Sequence, residues 1–293
     1  MTGPYPVWPW SVLIGWPRST KQILWSGGSW VTTYPIANSN SLPLGRVARS
    51  ADLTAASTRM IGIIPEGERI EVVSSIAHNW SVAATWRIRI YADEAGTALV
   101  YDSGVMPVWP QVYADGELEW EHDGFWLGTY SQDELSGLPW NSIHLISPWV
   151  SGRRIEIDVF DSYNSEGYLQ HGMIDVAAAL RFPVNPAYGA DAGWKARSIS
   201  AEAEGGAMYW ERRPKGRMFS GNVDLTYKNW ARGPFFEFQR NADVTDEFLF
   251  IENPDDALNL LRTSFLSRNG DIPPLKRAFP TADAVPVSFV EVL

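Results

Sequence analysis

The chain predicts a mainly β protein: an antiparallel β-sandwich over residues 46–183, then an α+β, mostly β, domain over residues 194–293. Three features carry that reading. Apolar and polar residues alternate with period two along short runs, as strands with one buried face require. Turn-forming clusters separate the runs: Pro65-Glu66-Gly67, Asp93-Glu94-Ala95-Gly96, Asp115-Gly116 and Asp123-Gly124. Between the two blocks, residues 184–193 (VNPAYGADAG) concentrate Pro and Gly without periodicity, which is the grammar of a linker.

Residues 1–45 precede the sandwich and read as an irregular arm. Trp8, Trp10, Trp16, Trp25 and Trp30 lie among Pro9, Pro17, Gly27 and Gly28, and each proline removes a ladder donor while fixing φ. So much aromatic surface needs covering, either by the body that follows or by a neighbouring subunit. Trp8, Trp10 and Trp16 are the arm's candidate interface residues. Within the sandwich, Trp86, Ile88 and Ile90 share one face of 85–91, with Arg87, Arg89 and Tyr91 on the other. Ile155, Ile157 and Val159 share a face of 154–159. Further strands are predicted at 70–76, 98–103, 142–146 and 172–180.

The second block predicts strands at 195–203, 217–227, 246–251 and 284–292, with Phe219, Val223, Leu225 and Tyr227 on one face of the second. A short helix is predicted from Asn253 as N-cap, with Pro254 at its first position and Asp255 and Asp256 in its first turn. Those residues satisfy free N–H groups and favour the positive end of the helix dipole. Leu260 and Leu261 would form its buried face.

Composition narrows the function classes. Lys and Arg total 24 against 34 Asp and Glu, a net charge of −10, which disfavours a general nucleic-acid binder because phosphate neutralisation needs a basic surface. The absence of cysteine excludes disulfides, thiolate metal sites, iron–sulfur clusters and cysteine nucleophiles. No run approaches the roughly 18 apolar residues of a membrane-spanning helix, so membrane insertion is not expected. The opening MTGPYPVWPWSVLIGWP lacks a basic start and a continuous apolar stretch, and is a poor signal peptide.

Chemistry-bearing motifs are sparse. Phosphate-binding glycine loops, H-E-x-x-H and G-x-S-x-G are all missing, so no enzyme and no cofactor are expected. His78, His122, His144 and His171 are scattered without metal-ligand spacing, and no metal site is expected. The strongest acidic cluster is Glu117-Leu118-Glu119-Trp120-Glu121-His122-Asp123. On a strand its four carboxylates would line one face, as a glycosidase built around Glu119 and Glu121, a cation site, or a solvated strand face. Trp80, Trp109, Trp120 and Trp126, with Trp140 and Trp149 behind them, are candidate stacking surfaces for carbohydrate, and core or interface packing is the competing use. Asn79-Trp80-Ser81 matches a glycosylation acceptor by chance. The basic run Glu211-Arg212-Arg213-Pro214-Lys215-Gly216-Arg217 reads as a solvated hairpin, as a salt-bridged interface through Arg212 and Arg213, or, third, as a nucleic-acid contact.

An ordered series of segments then matters: Ala48-Arg49-Ser50-Ala51-Asp52-Leu53, Ala77-His78-Asn79-Trp80-Ser81, Trp86-Arg87-Ile88-Arg89-Ile90-Tyr91, Val100-Tyr101-Asp102-Ser103-Gly104, Val108-Trp109-Pro110, Arg154-Ile155-Glu156-Ile157-Asp158 and Gly167-Tyr168-Leu169-Gln170-His171-Gly172. The second block adds Tyr209-Trp210-Glu211-Arg212-Arg213-Pro214, Phe238-Gln239-Arg240, Asn253-Pro254-Asp255-Asp256 and Ser264-Phe265-Leu266. From about residue 46 to the end, the series resembles structural proteins of long-tailed bacteriophages. Their first part is similar to galactose-binding-like jelly-roll sandwiches, and their second to barrel-like tail-tube and distal-tail domains.

That resemblance implies a virion tail component at the distal tail or tail tip, assembled in the host cytoplasm into a homo-oligomeric ring or cap with other tail proteins. A carbohydrate-binding module recognising host-surface glycan is the alternative, and a glycosidase the second alternative. Two departures stand out. Gly233-Pro234 interrupts a stretch that is helical in the family, so a helix should start at or after Pro234. Gln170-His171-Gly172-Met173-Ile174-Asp175 is more polar than the family pattern.

Overall fold

A computed structural model of the chain describes residues 11–293 except 115, 123, 127, 132, 133 and 135–139. Trp8 and Trp10 therefore lie outside the described residues. The chain divides into two compact units: Gly15–Ala179 with Ala257–Leu261, and Met1–Ile14 with Leu180–Asp256 and Arg262–Leu293.

The first unit contains most of β1 (Leu13–Arg18), β2 (Leu24–Ser26), β3 (Ala48–Arg49), β4 (Met60–Ile76), β5 (Thr85–Tyr91), β6 (Leu99–Asp102), β7 (Met106–Pro107), β8 (Asn141–Phe160), β9 (Gln170–His171) and most of β10 (Met173–Arg181). Strand order is β1-β10-β4-β8-β5-β6, with β2 also on β4 and β7 also on β5. The long strands β4 and β8 form an antiparallel ribbon from Met60↔Ile157 to Ile76↔Asn141, with register shifts between Ile63 and Glu68 and between Ile70 and Val72. β2 pairs the first half of β4, and β5 pairs the second half of β8. β10 pairs the other half of β4. One ribbon therefore serves two layers, and such sheet-switching strands are how sandwich corners are made.

The core confirms the alternation read from sequence. Trp86, Ile88 and Ile90 of β5 and Ile155, Ile157 and Val159 of β8 pack with Met60, Ile64, Ile70, Ile174 and Val176 in one buried cluster. Each such side chain contributes about 1.5–3 kcal/mol on burial. The opposite face of β5 and β8 is a charge ladder rather than a simple solvated face. Arg89 pairs with Asp158 at 2.6 Å and Glu156 at 2.9 Å, Arg59 reaches Asp158 at 2.6 Å, and Arg154 pairs with Glu156. Glu156 and Asp158 are buried by these partners.

Several boundaries differ from expectation. The segment read as an irregular arm supplies β1 and β2, because proline falls only near the end of β1, where it breaks no interior ladder. The separate strands expected at 142–146 and 154–159 are halves of β8. Polar residues 170–175 bond to residues from the first 50 positions, although Asp175 Oδ2 is buried without a hydrogen-bond partner among the described residues. Asp175 accepts from Arg18 Nε at 2.6 Å and Thr20 Oγ1 at 2.7 Å, both supplied by that first segment.

The second unit holds β11 (Asp191–Lys195), β12 (Ile199–Glu202), β13 (Met208–Glu211), β14 (Gly216–Tyr227), β15 (Glu247–Ile251), β16 (Phe265–Asn269) and β17 (Ala282–Glu291). Its sheet runs β11-β14-β17-β16-β15 and does not close, while β12 and β13 form a separate hairpin. The barrel expected here is thus, among the described residues, an open sheet, with the edge strand β11 exposed along its whole length. Phe219, Phe248, Phe250 and Phe289 form its aromatic core, with ring centroids 4.9–6.5 Å apart.

Three local expectations change in this unit. Leu225 has φ +56 at a bulge where three steps from Val223 to Thr226 oppose two from Val285 to Asp283. The extra residue flips the parity, so Thr226 is buried while Leu225 and Tyr227 are exposed. The helix expected from Asn253 is a turn. Asn253 Oδ1 does accept from the Asp255 N–H at 3.1 Å, but the helix itself is Leu260–Thr263. The stretch around Pro234 is helical from Lys228, upstream of the proline. Ala231–Phe235 widens into a π-turn that absorbs the missing donor, and α-helix resumes at Phe236–Asn241.

Arg217, grouped by sequence with a solvated basic run, is buried and bonds Glu291 through Nε at 3.0 Å and its own N–H at 2.7 Å. Its guanidinium also lies 5.2 Å from the Phe265 ring centroid. Glu291→Gln is expected to destabilise this unit by about 3 kcal/mol, since it strands a buried cation, whereas Arg217→Met with Glu291→Leu restores most of the loss. Urea unfolding of the variants checks both.

Candidate functional site

The bent ribbon determines where loops meet. Fully extended, the twenty residues of β8 would separate its ends by about 60 Å. Yet the connection 77–84 joins the end of β4, opposite Asn141, to the start of β5, opposite Phe160. That connection spans about 30 Å at most. The bend therefore brings both ends of β8 to one edge of the sandwich, where residues 77–84, 129–131, 140 and 161–169 converge.

They enclose a concavity of about 670 Å³ lined by His78, Asn79, Ser81, Val82, Thr129, Tyr130, Ser131, Trp140, Tyr163, Asn164, Ser165 and Glu166. Its walls are locked by side-chain hydrogen bonds. Ser81 donates to Asp161 through its N–H at 2.7 Å and its hydroxyl at 2.6 Å. Asn164 Nδ2 donates to the Asn79 carbonyl at 2.9 Å. Asn79 Nδ2 donates to Glu166 Oε2 and the Tyr168 carbonyl, both at 3.1 Å, while its Oδ1 accepts from Gln170 N–H at 2.8 Å. Ala77, at the turn into the site, has φ +55, a position that costs a non-glycine residue of order 1 kcal/mol.

Above this frame stands an aromatic pair of different character. Tyr163 is 82% exposed, so its ring face is free. Trp140 is half-buried and packs edge-on against Trp109 at 5.2 Å. Ser165 and Glu166 are exposed beside Tyr163. The result is a rigid polar hollow with one presented aromatic face.

The sequence-predicted residues fall elsewhere. Trp80 and Trp109 are buried: Trp80 stacks on His78 at 4.6 Å, and Trp109 Nε1 donates to the Trp80 carbonyl at 3.3 Å. They form the floor under the loops and present no face to a ligand. Trp120 and Trp126 are exposed but do not line the concavity. The strand expected to align Glu117, Glu119, Glu121 and Asp123 is absent. Asp123 lies outside the described residues, and the others sit in successive turns, with Glu117 accepting from Ala114 N–H at 3.0 Å. Trp16 is half-buried in β1, while Arg212 and Arg213 are exposed at the base of the β12–β13 hairpin, Arg213 pairing with Glu211 at 2.9 Å. Among the described residues, no cluster of three or more acidic or histidine side chains is arranged to hold a metal ion.

Two histidines support the site from within. His78 Nδ1 accepts from the Trp80 N–H at 3.2 Å, so Nε2 carries the proton and donates to Ser142 Oγ at 2.8 Å. His171 Nε2 lies 2.8 Å from Ser39 Oγ. Burial pushes both down to about 3, helped at His78 by the nearby His171.

Comparison with known proteins adds the following. No family model matches the chain, and no curated protein matches it. Among solved structures it is similar to the family 32 carbohydrate-binding module of NanJ from C. perfringens in complex with galactose, at 8% identity and TM-score 0.36, over 57% of this chain and 99% of that one. It is also similar to CBM32-1 from a family 31 glycoside hydrolase of Clostridium perfringens, at 10% identity and TM-score 0.36, over 55% and 96%. A third is the CBM32 of AlyQ in complex with 4,5-unsaturated mannuronic acid, at 13% identity and TM-score 0.32, over 52% and 92%.

The two buried neutral histidines make stability pH-dependent. The unfolded chain takes up their protons near the ordinary value of 6.5, the folded chain only near about 3. Stability is therefore full above pH 6.5 and falls as pH drops from there towards 3. His171→Gln is expected to flatten that slope, by about 2 kcal/mol near the middle of the window. Urea midpoints measured across it for both proteins check the sign.

Proposed function

We propose that this chain is a non-catalytic glycan-recognition module and that the hollow at the loop edge of its sandwich is the sugar site. The observation that carries the reading is the exposed Tyr163 ring standing beside Glu166, Ser165 and Asn164 in a concavity whose walls are already fixed. Sugars present an apolar C–H face and a belt of hydroxyls. An aromatic plate packs against the first, and carboxylate, amide and hydroxyl groups bond the second. Because the loops are tied together before binding, little ordering entropy opposes it.

A hydrolytic role has less to draw on. Asp161 is occupied by three donors from Ser81 and Asn164, and Glu119 and Glu121 lie away from the hollow. Neither a place in a virion tail nor a ring built with copies of itself or other tail proteins draws support from the fold or the comparisons.

A glycan array followed by calorimetry of the hits tests the proposal. Tyr163→Ala is expected to weaken binding at least about tenfold, equivalent to 1.4 kcal/mol, with an unchanged melting temperature. Asn79→Ala is expected to lower both affinity and melting temperature, because it unties the loops. Binding that is indifferent to Tyr163→Ala, or silence across the array, would refute the assignment.

A further inference from the structure

The second unit contains a separate hollow of about 330 Å³, lined by Arg232, Phe236, Leu275, Lys276, Arg277 and Asp283. Three cations and one carboxylate meet there, in a chain whose overall charge is −10. The carboxylate is already taken. Arg232 donates to Asp283 through Nε at 2.7 Å and through Nη2 at 3.1 Å, and Asp283 is buried. That hydrogen-bonded pairing holds the Asp283 carboxyl below its usual range, and Lys228 and Arg277 add to the effect. The side chains of Lys276 and Arg277 are exposed, and Arg277 acts on Asp283 only through its charge.

Their placement is built rather than incidental. The segment carrying them is pinned to β17 by reciprocal backbone bonds between Lys276 and Ala284, at 3.0 and 2.8 Å, and by Phe279 N–H to the Ala282 carbonyl at 3.0 Å. It is pinned to the helix by Gln239 Nε2 donating to the Pro273 carbonyl at 3.1 Å. The helix in turn presents Phe236, which is 53% exposed, as the apolar wall of the same hollow.

We infer that this hollow is a second binding site, for a carboxylate carried on a ring of monosaccharide size. Lys276 and Arg277 would hold the anion and Phe236 would pack on the ring face. The excess of two positive charges disfavours a neutral occupant's competing for the same groups, and the pinned backbone keeps two cationic side chains close enough together to meet a single carboxylate. The apolar wall selects a ring-borne anion over a bare one. The site stands independently of the sandwich hollow.

Calorimetric titration of the intact chain with glucuronate, benzoate, inorganic phosphate and glucose tests this. Glucuronate or benzoate is expected to bind saturably and the comparison of the two tells a sugar acid from an aromatic one; glucose is expected not to bind here. Affinity should fall at least about tenfold in Lys276→Ala with Arg277→Ala, weaken at higher ionic strength, and survive Tyr163→Ala. No saturable binding of either acid would overturn the inference. So would phosphate binding as tightly as both, binding unchanged in the double variant, or loss in Tyr163→Ala. Exposed Lys276 and Arg277 carry no fold contacts through their side chains, so the double variant is expected to melt like the parent.

Discussion

The bend in the β4–β8 ribbon is the constraint on which the first unit depends. A straight ribbon would hold the two ends of β8 far apart and leave three loops on different edges. Register shifts after Ile63 and Ile70 instead fold the ribbon across a core filled by Ile64, Ile70, Ile155 and Ile157. The hydrophobic effect sets the bend, because both halves of the ribbon can bury their inner faces only by closing on the same cluster. The loop-edge hollow is a consequence of that closure.

Polar groups are handled in two ways. On the outer face of β5 and β8, carboxylates at alternate positions are buried beneath arginines, so desolvation is offset by short charge-assisted bonds. Around the hollow, neutral donors from Asn79, Asn164 and Ser81 close on the carboxylates of Asp161 and Glu166 and on backbone carbonyls, with the two neutral histidines behind them. Hydrogen bonds to an ionised acceptor are stronger than neutral ones, and the three donors on Asp161 hold two of the loops together. Tyr163 and Ser165 remain outward because the residues around them, Asp161, Asn164, Glu166 and Tyr168, carry the internal bonds.

Much of the fold was legible in the sequence, and most of the site was not. Strict alternation along 85–91 and 154–159 marked the core faces correctly, since period two leaves no freedom once one face is buried. The same rule failed at Leu225, where one bulged residue inverted the face, and a bulge leaves no signature in alternation alone. Tryptophan content pointed to aromatic surfaces but not to which were free. Trp80 and Trp109 are beneath the loops, while the presented ring belongs to Tyr163 in Asp161-Ser162-Tyr163-Asn164-Ser165-Glu166-Gly167. That run carries a turn signal flanked by donors and acceptors, and it was the clue available. Convergence of residues 79, 140 and 163–166 depends on the ribbon's bend, which spacing along the chain does not encode. Likewise, Arg217 was indistinguishable from its solvated neighbours until Glu291 was brought beside it.

The central claim is that the fixed loops around Tyr163 form a glycan site. Amide chemical shifts recorded during titration with a glycan test it most directly. The account predicts saturating changes confined to Asn79, Trp140 and residues 163–166, with the core strands unmoved. Changes centred on the Glu117–Glu121 turns or on the β12–β13 hairpin, with residues 163–166 silent, would contradict it.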